Sequence, residues 1–121
     1  MARRRIDPEL GAAAVRSGDD IALAARYLLQ VLSDAAPGNT LEVRVPPYGA
    51  AQVVDGPRHT RGTPPNVVEM DAATWLAVAT GSLSWDDAIA ENRASASGSR
   101  ADLTPYLPLA WAVPGDGRMD A

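Results

Sequence analysis

The sequence predicts one α+β domain with helices at both ends and strands between them. Three observations predict it: residues 21–35 carry apolar side chains at helical spacing, residues 41–45 alternate between apolar and charged side chains, and two further helix starts follow residue 70. With 121 residues, the chain is long enough for one modest core and too short for two.

The composition excludes several classes of function. The chain has no Cys and a single His, His59, so disulfides and thiolate metal sites are excluded, and neither a metal nor a cofactor is expected. A formal net charge of −4 argues against nucleic-acid binding, because neutralising phosphates requires clustered positive charge. The basic run at residues 3–5 is expected to be a solvated tail, with a transient membrane-surface contact left open.

The start of the chain does not read as a secretory signal. Asp-Pro-Glu at residues 7–9 follows the arginines where an apolar segment would be required. No apolar run reaches the length of a membrane span. A cytoplasmic protein is therefore expected, with a thin core of Ala, Leu and Val around three Trp and three Tyr.

Two helices are predicted before the first strand. Residues 7–9 combine a cap, a proline at the first helical position and a negative charge, and this short helix should stop near Ser17 and Gly18. Asp19 or Asp20 can cap a longer helix that Pro37 and Gly38 end. Its predicted apolar stripe consists of Ile21, Ala24, Ala25, Leu28, Val31, Leu32 and Ala35.

Three strands are predicted next. Leu-Glu-Val-Arg-Val at residues 41–45 has the alternation of a half-buried strand, and the two prolines that follow remove ladder donors. Residues 51–54 and 66–70 form the second and third strands. Because they follow one another through turns and a polar loop, we expect an antiparallel meander.

Capping residues place the later elements. Asp71 begins a helix that Gly81 closes, and Ser84 with Asp87 resembles a capping box for a second helix that Asn92 ends. A weak strand at residues 94–97 follows. A final helix after Asp102 is expected to carry Leu103, Tyr106 and Leu107 on one face, and residues 113–121 are expected to be disordered.

Catalytic constellations are missing from the sequence. It contains no Gly-x-Ser-x-Gly elbow, no Cys nucleophile, no phosphate-binding Gly-rich loop and no His pair. Asp86 and Asp87 are adjacent carboxylates, but their place at a helix start favours capping over acid–base catalysis. The sequence therefore predicts a protein that is not an enzyme.

Three segments carry a family resemblance: LEVRVPP at residues 41–47, HTRGTPPNVVEM at 59–70 and SGSRADL at 97–103. They resemble the actinobacterial branch of the bacterial sterol-carrier-protein orthologues. The order of elements from residue 66 to 109 is similar to the C-terminal half of sterol carrier protein 2 (SCP2) domains. The resemblance covers roughly residues 20–110, and a basic complement made only of Arg is typical of a high-GC bacterial genome.

The resemblance implies an SCP2-like fold. Its curved, mainly antiparallel sheet of four to five strands would be covered on one face by helices, with apolar ligands held between the two layers. Residues 1–18 would form an N-terminal short helix and basic tail, residues 19–112 the SCP2-like domain, and residues 113–121 the disordered tail.

The implied function is non-enzymatic binding and transport of a lipid or other apolar small molecule. The alternative is a protein-interaction or accessory module that keeps the fold without a usable lipid cavity, since such an apolar set also suits a plain core. The candidate ligand-binding residues are Val43, Val53, Val67, Trp75, Leu76, Trp85, Ile89, Leu103, Tyr106 and Leu107.

The connection at residues 57–65, PRHTRGTPP, is long for so small a domain. Its Arg58, His59 and Arg61 could donate hydrogen bonds to an anionic head group or to an acidic protein partner. Alternatively, they pair with nearby carboxylates in a loop that proline stiffens.

Overall fold

The computed structural model describes residues 5–56 and 66–112. No helix in these ranges has both the length and the apolar composition that crossing a bilayer requires. Along the chain lie α1 (Pro8–Ser17), α2 (Ile21–Ala35), β1 (Leu41–Val45), β2 (Gly49–Val53), β3 (Asn66–Met70), α3 (Ala72–Thr80), α4 (Trp85–Ala90), β4 (Ala94–Ser97) and a 3₁₀ turn (Thr104–Tyr106).

The first two helices begin and end at the predicted signals. The Asp7 carboxylate accepts a hydrogen bond from the Glu9 N–H at 3.1 Å, and Gly18 ends α1 with a φ of 72°. Asp20 caps α2 by accepting from the Leu23 N–H at 3.0 Å. These side chains satisfy N–H groups that have no partner inside the helix.

The buried face of helix α2 differs in part from the predicted stripe. Val31 is half-buried, and Ile21 and Ala35, at the helix ends, are exposed. Tyr27 is also buried, because α1 packs so closely that a Cβ atom on Gly11 would overlap the Tyr27 ring. The buried members of the stripe are Ala24, Ala25, Leu28 and Leu32, and Leu29 beside them is buried as well.

The expected antiparallel meander is wrong. The described strands form one mixed sheet in the order β2-β1-β3-β4, in which β1–β2 and β3–β4 are antiparallel and β1–β3 is parallel. The main chain bends away after β2, because Val54 has a φ of 71° and donates its N–H to the Ala36 carbonyl at 2.7 Å. Strand β3 therefore pairs with the free side of β1 rather than with β2.

The helices cover one face of this sheet, as predicted. On β1, Leu41, Val43 and Val45 are fully buried beneath them. On the other face, Arg44 donates to the Glu42 carboxylate at 3.1 Å, and both side chains are partly exposed. This alternation gives the sheet one apolar and one polar face.

Local signals also place α3 and α4 correctly. The Asp71 carboxylate accepts from the Thr74 N–H at 2.8 Å, and Gly81 ends α3 with a φ of 93°. Ser84 Oγ accepts from the Asp87 N–H at 3.0 Å, and Asn92 has the left-handed φ of 60° expected at the end of α4.

The predicted final helix is wrong, since the chain forms only the 3₁₀ turn Thr104–Tyr106 there. Pro105 has no N–H to donate, and Pro108 drives the preceding Leu107 into extended backbone, with a ψ of 147°. After this turn the chain runs along α3, where the Leu109 N–H donates to the Ala79 carbonyl at 2.8 Å.

Replacing Asp71 by Ala should lower the free energy of unfolding by about 1 kcal/mol at neutral pH, because the α3 cap is lost. Hydrogen bonds from the Thr74 N–H and hydroxyl hold the pKa of the Asp71 carboxyl below its usual range. A lowered pKa stabilises the fold above about pH 4, and this contribution disappears as the pH falls through the folded-state pKa.

Urea denaturation of the wild type and of Asp71→Ala, at pH 7 and in acid, measures this effect. The stability difference between the two proteins should shrink in acid. Asp71→Asn is the control, because its amide oxygen still accepts from Thr74 and does not titrate. An unchanged difference at both pH values would show that the charge of Asp71 contributes nothing to the cap.

Candidate functional site

The sheet side of the predicted ligand site is formed by Val43, Val53 and Val68, all three fully buried. Val67, which was predicted to lie there, is on the opposite face. In the parallel register Val67 is opposite Glu42, whereas Val68 is opposite Val43. The prediction for Val67 is therefore wrong by one residue, and Val68 takes the predicted place. A shift of one residue along a strand moves a side chain to the opposite face.

A buried asparagine lies at the start of the inner face of β3. The Asn66 side chain is 4% exposed, its Nδ2 donates to the Thr40 carbonyl at 3.0 Å, and its Oδ1 accepts from the Arg100 N–H at 2.9 Å. Asn66, Val68 and Met70 share the inner face. The sequence held a signal for this arrangement, since Glu69 lies two residues after Val67 and such residues share a face.

Two tryptophans form the centre of the helical side. Trp75 on α3 is fully buried, and its Nε1 donates to the Ala25 carbonyl of α2 at 3.1 Å. Trp85, the first residue of α4, is 6% exposed. The indole N–H of Trp75 is thus satisfied inside the protein, so this ring offers a ligand only apolar surface.

The remaining predicted residues lie at two depths. Leu103 is fully buried in the same cluster as Val43 and Trp75, although it belongs to the irregular C-terminal segment. The other four are half-buried and pack against the edge of this cluster: Leu76, Ile89, Tyr106 and Leu107. Nine of the ten predicted residues therefore meet in one apolar layer, and Val67 does not.

Trp111 packs against this cluster, Tyr27 binds it from α2, and neither was among the predicted ligand-binding residues. The Tyr27 hydroxyl donates to the Trp111 carbonyl at 2.9 Å, which fastens the C-terminal segment to α2. Burial, together with the negative charge of Asp34, raises the pKa of Tyr27, so its hydroxyl keeps its proton at neutral pH. The sequence did offer a signal for both residues. The chain has only three Trp, three Tyr and no Phe, so each large aromatic side chain is a candidate for burial.

The other predicted positions have different surroundings. Arg58, His59 and Arg61 lie outside the described residues. Asp86 and Asp87 are exposed in the first turn of α4. Within residues 5–56 and 66–112, no group of three His, Cys, Asp or Glu side chains could hold a metal ion.

A cleft of about 670 Å³ opens elsewhere on the protein, between α2 and β2. None of the ten predicted ligand-binding residues lines it. The layer between sheet and helices is filled by side chains such as Trp75 and Leu103, and this cleft lies at the edge of the sheet.

The α+β architecture, with helices over one face of an open mixed sheet, is consistent with the SCP2-like fold. The family model for bacterial SCP orthologues matches residues 17–109, which include α2, all four described strands, α3 and α4. The chain therefore belongs to the family of bacterial sterol-carrier-protein orthologues. A search of curated proteins finds no match to it.

Replacing Val68 by Ala should lower the free energy of unfolding by about 2 kcal/mol, because buried methyl groups are lost and a cavity remains. Val67→Ala is the matched control, since it removes the same atoms from the half-buried outer face and should cost less than half as much. Urea denaturation measures both variants. Equal losses would contradict the assignment of Val68 to the inner face.

Proposed function

We propose that this protein binds a lipid or other apolar small molecule, without catalysis, in the layer between the sheet and the helices. Membership of the sterol-carrier-protein orthologue family supports the class of ligand. The layer itself supports the location, since the side chains that meet there are aliphatic or aromatic. Such surfaces suit an apolar ligand.

The observation that carries the proposal is the position of Leu103. This fully buried side chain comes from an irregular segment, residues 101–112, rather than from a helix or strand. Segments with little regular hydrogen bonding open at a lower free-energy cost than core helices and strands. Outward movement of this segment withdraws Leu103 and its neighbours Tyr106 and Leu107, and it leaves apolar volume beside Trp75.

The same proposal places the protein in the cytoplasm, where it transfers or stores its ligand without a cofactor and without binding nucleic acid. A net charge of −4 and the missing catalytic constellations support these parts. A transient contact with a membrane surface would let an apolar ligand enter without crossing water.

One observation favours a second candidate, a protein-interaction or accessory module with the same fold. Trp75, Leu103 and the inner valines are fully buried against each other, as in an ordinary core. If the C-terminal segment does not move, the layer has no room for a ligand. Native mass spectrometry of freshly purified protein separates the two candidates, because a carrier retains lipid mass and an interaction module gives the mass of the chain alone.

Titration of delipidated protein with fatty acids, sterols and phospholipids should change tryptophan emission saturably, because Trp75 and Trp85 lie in the proposed site. Leu107→Glu should abolish the change, since ligand binding would bury an unpaired carboxylate. Leu10→Glu is the control, because Leu10 is 62% exposed on α1 and should leave binding intact.

Circular dichroism must first show that Leu107→Glu is folded. If the wild type gives no saturable response with any of the three ligand classes, the carrier proposal fails and the interaction module stands. Equal loss of binding in Leu10→Glu and Leu107→Glu would also contradict the proposed location.

A further inference from the structure

The cleft between α2 and β2 exposes the edge of a strand. Four consecutive residues of β2, residues 49–52, line it. Successive strand residues point to opposite faces of a sheet, so all four can border one cleft only where the main chain itself faces it. Since β2 is the outermost of the described strands on this side, its outer N–H and C=O groups face the cleft.

One face of helix α2 forms the opposite wall. Arg26, Leu29, Gln30 and Ser33 line the cleft, and their spacing of three, four and seven residues places them on one side of the helix. The start of β2 lies beside the middle of α2, since a Cβ atom on Gly49 would be 3.6 Å from Leu29 Cδ1. The end of β2 lies beside the end of α2, since the Val54 N–H donates to the Ala36 carbonyl. Helix and strand therefore run in the same direction, and each wall is about 10 Å long.

Strand β2 itself carries none of the residues that usually protect an open edge. Its sequence is Gly-Ala-Ala-Gln-Val, without a charged residue or a proline. Edge strands that are not meant to pair commonly carry such residues, or are covered. The side chains of Gly49, Ala50 and Ala51 are also small enough to let another main chain approach.

The far end of the cleft already holds main chain of the N-terminal segment. The Ile6 N–H donates to Gln30 Oε1 at 2.9 Å, and the Ile6 carbonyl accepts from Gln30 Nε2 at 3.0 Å. The Gln30 side chain thus pairs with both the N–H and the carbonyl of Ile6, as one residue of a neighbouring antiparallel strand would. The N-terminal segment thus shows the kind of chain that fits between these walls.

Two arginines and two carboxylates line the cleft, and Arg26 is the one of the four without a side-chain partner among the described residues. Arg5 donates to Asp34 at 2.6 Å, and Glu42 accepts from Arg44 at 3.1 Å. Arg26 is exposed and has no hydrogen-bond or ion-pair partner within the described part of the chain. An occupant that brings a carboxylate to the Arg26 end complements this charge.

We infer that this cleft binds an extended, carboxylate-bearing peptide segment of a protein partner, added as a further strand on β2. A lipid tail fits less well, because it would cover the Gln52 side chain and the strand edge without offering them hydrogen bonds. A second copy of the chain fits less well too, since neither edge strand, β2 with Gly-Ala-Ala-Gln-Val nor β4 with Ala-Ser-Ala-Ser, offers a carboxylate for Arg26.

The test uses the full chain and a positional-scanning library of acetylated, amidated hexapeptides. Selected peptides should carry Asp or Glu at one fixed position, and the best of them, fluorescein-labelled, is titrated by fluorescence anisotropy. Arg26→Glu should weaken its binding by about tenfold or more. Arg93→Glu makes the same charge change outside the cleft and should leave binding unchanged.

Main-chain pairing is tested by N-methylating alternate residues of the selected peptide in either phase. One phase should lose binding, because its methyl groups replace the N–H groups that pair with β2. Amide chemical shifts should move at residues 26–33 and 49–52. Absence of any selected peptide, equal binding of both N-methylated forms, full affinity in Arg26→Glu, or a dimer that buries β2 would each overturn the inference.

Discussion

The Asn66 side chain joins three parts of the chain that are distant in sequence. It lies at the start of β3, donates to the Thr40 carbonyl before β1, and accepts from the Arg100 N–H after β4. A buried amide without partners would cost free energy, so its position holds both neighbouring segments in place. Three features agree with these hydrogen bonds. Leu41 is aligned with Asn66 in the parallel register, Val68 lies on the inner face, and the chain continues from Arg100 toward the buried Leu103.

Much of the fold could be predicted because its signals are local. Asp20, Asp71 and Ser84 begin helices, and Gly81 and Asn92 end them, through bonds and backbone angles set within a few residues. Strand order is different, since nothing within β1 or β2 states which edge β3 will join. Successive strands in a sequence suggest an antiparallel meander. Here the main chain bends away after β2 and β1 has a free edge, so β3 pairs with β1 instead.

The candidate site was predicted in composition but not in every position. Leu103, Tyr106 and Leu107 have the spacing of a helix face, yet Pro105 and Pro108 limit the chain there to one 3₁₀ turn. Backbone chemistry thus overrides side-chain periodicity. A buried leucine on an irregular segment can leave the core more readily than one on a helix, and the proposed function depends on that movement.

Helix α2 separates two environments that suit different partners. Its Ala25 carbonyl accepts from Trp75, and Leu28 and Leu32 enter the apolar layer, where a bound molecule would have to be almost free of polar groups. Its outer face presents Arg26 and Ser33 to the cleft beside β2, where the proposed peptide would supply hydrogen bonds and charge. The proposed apolar ligand and the proposed peptide would therefore place opposite demands on their surroundings, and α2 can serve both because the two sets of side chains lie on different sides of one helix.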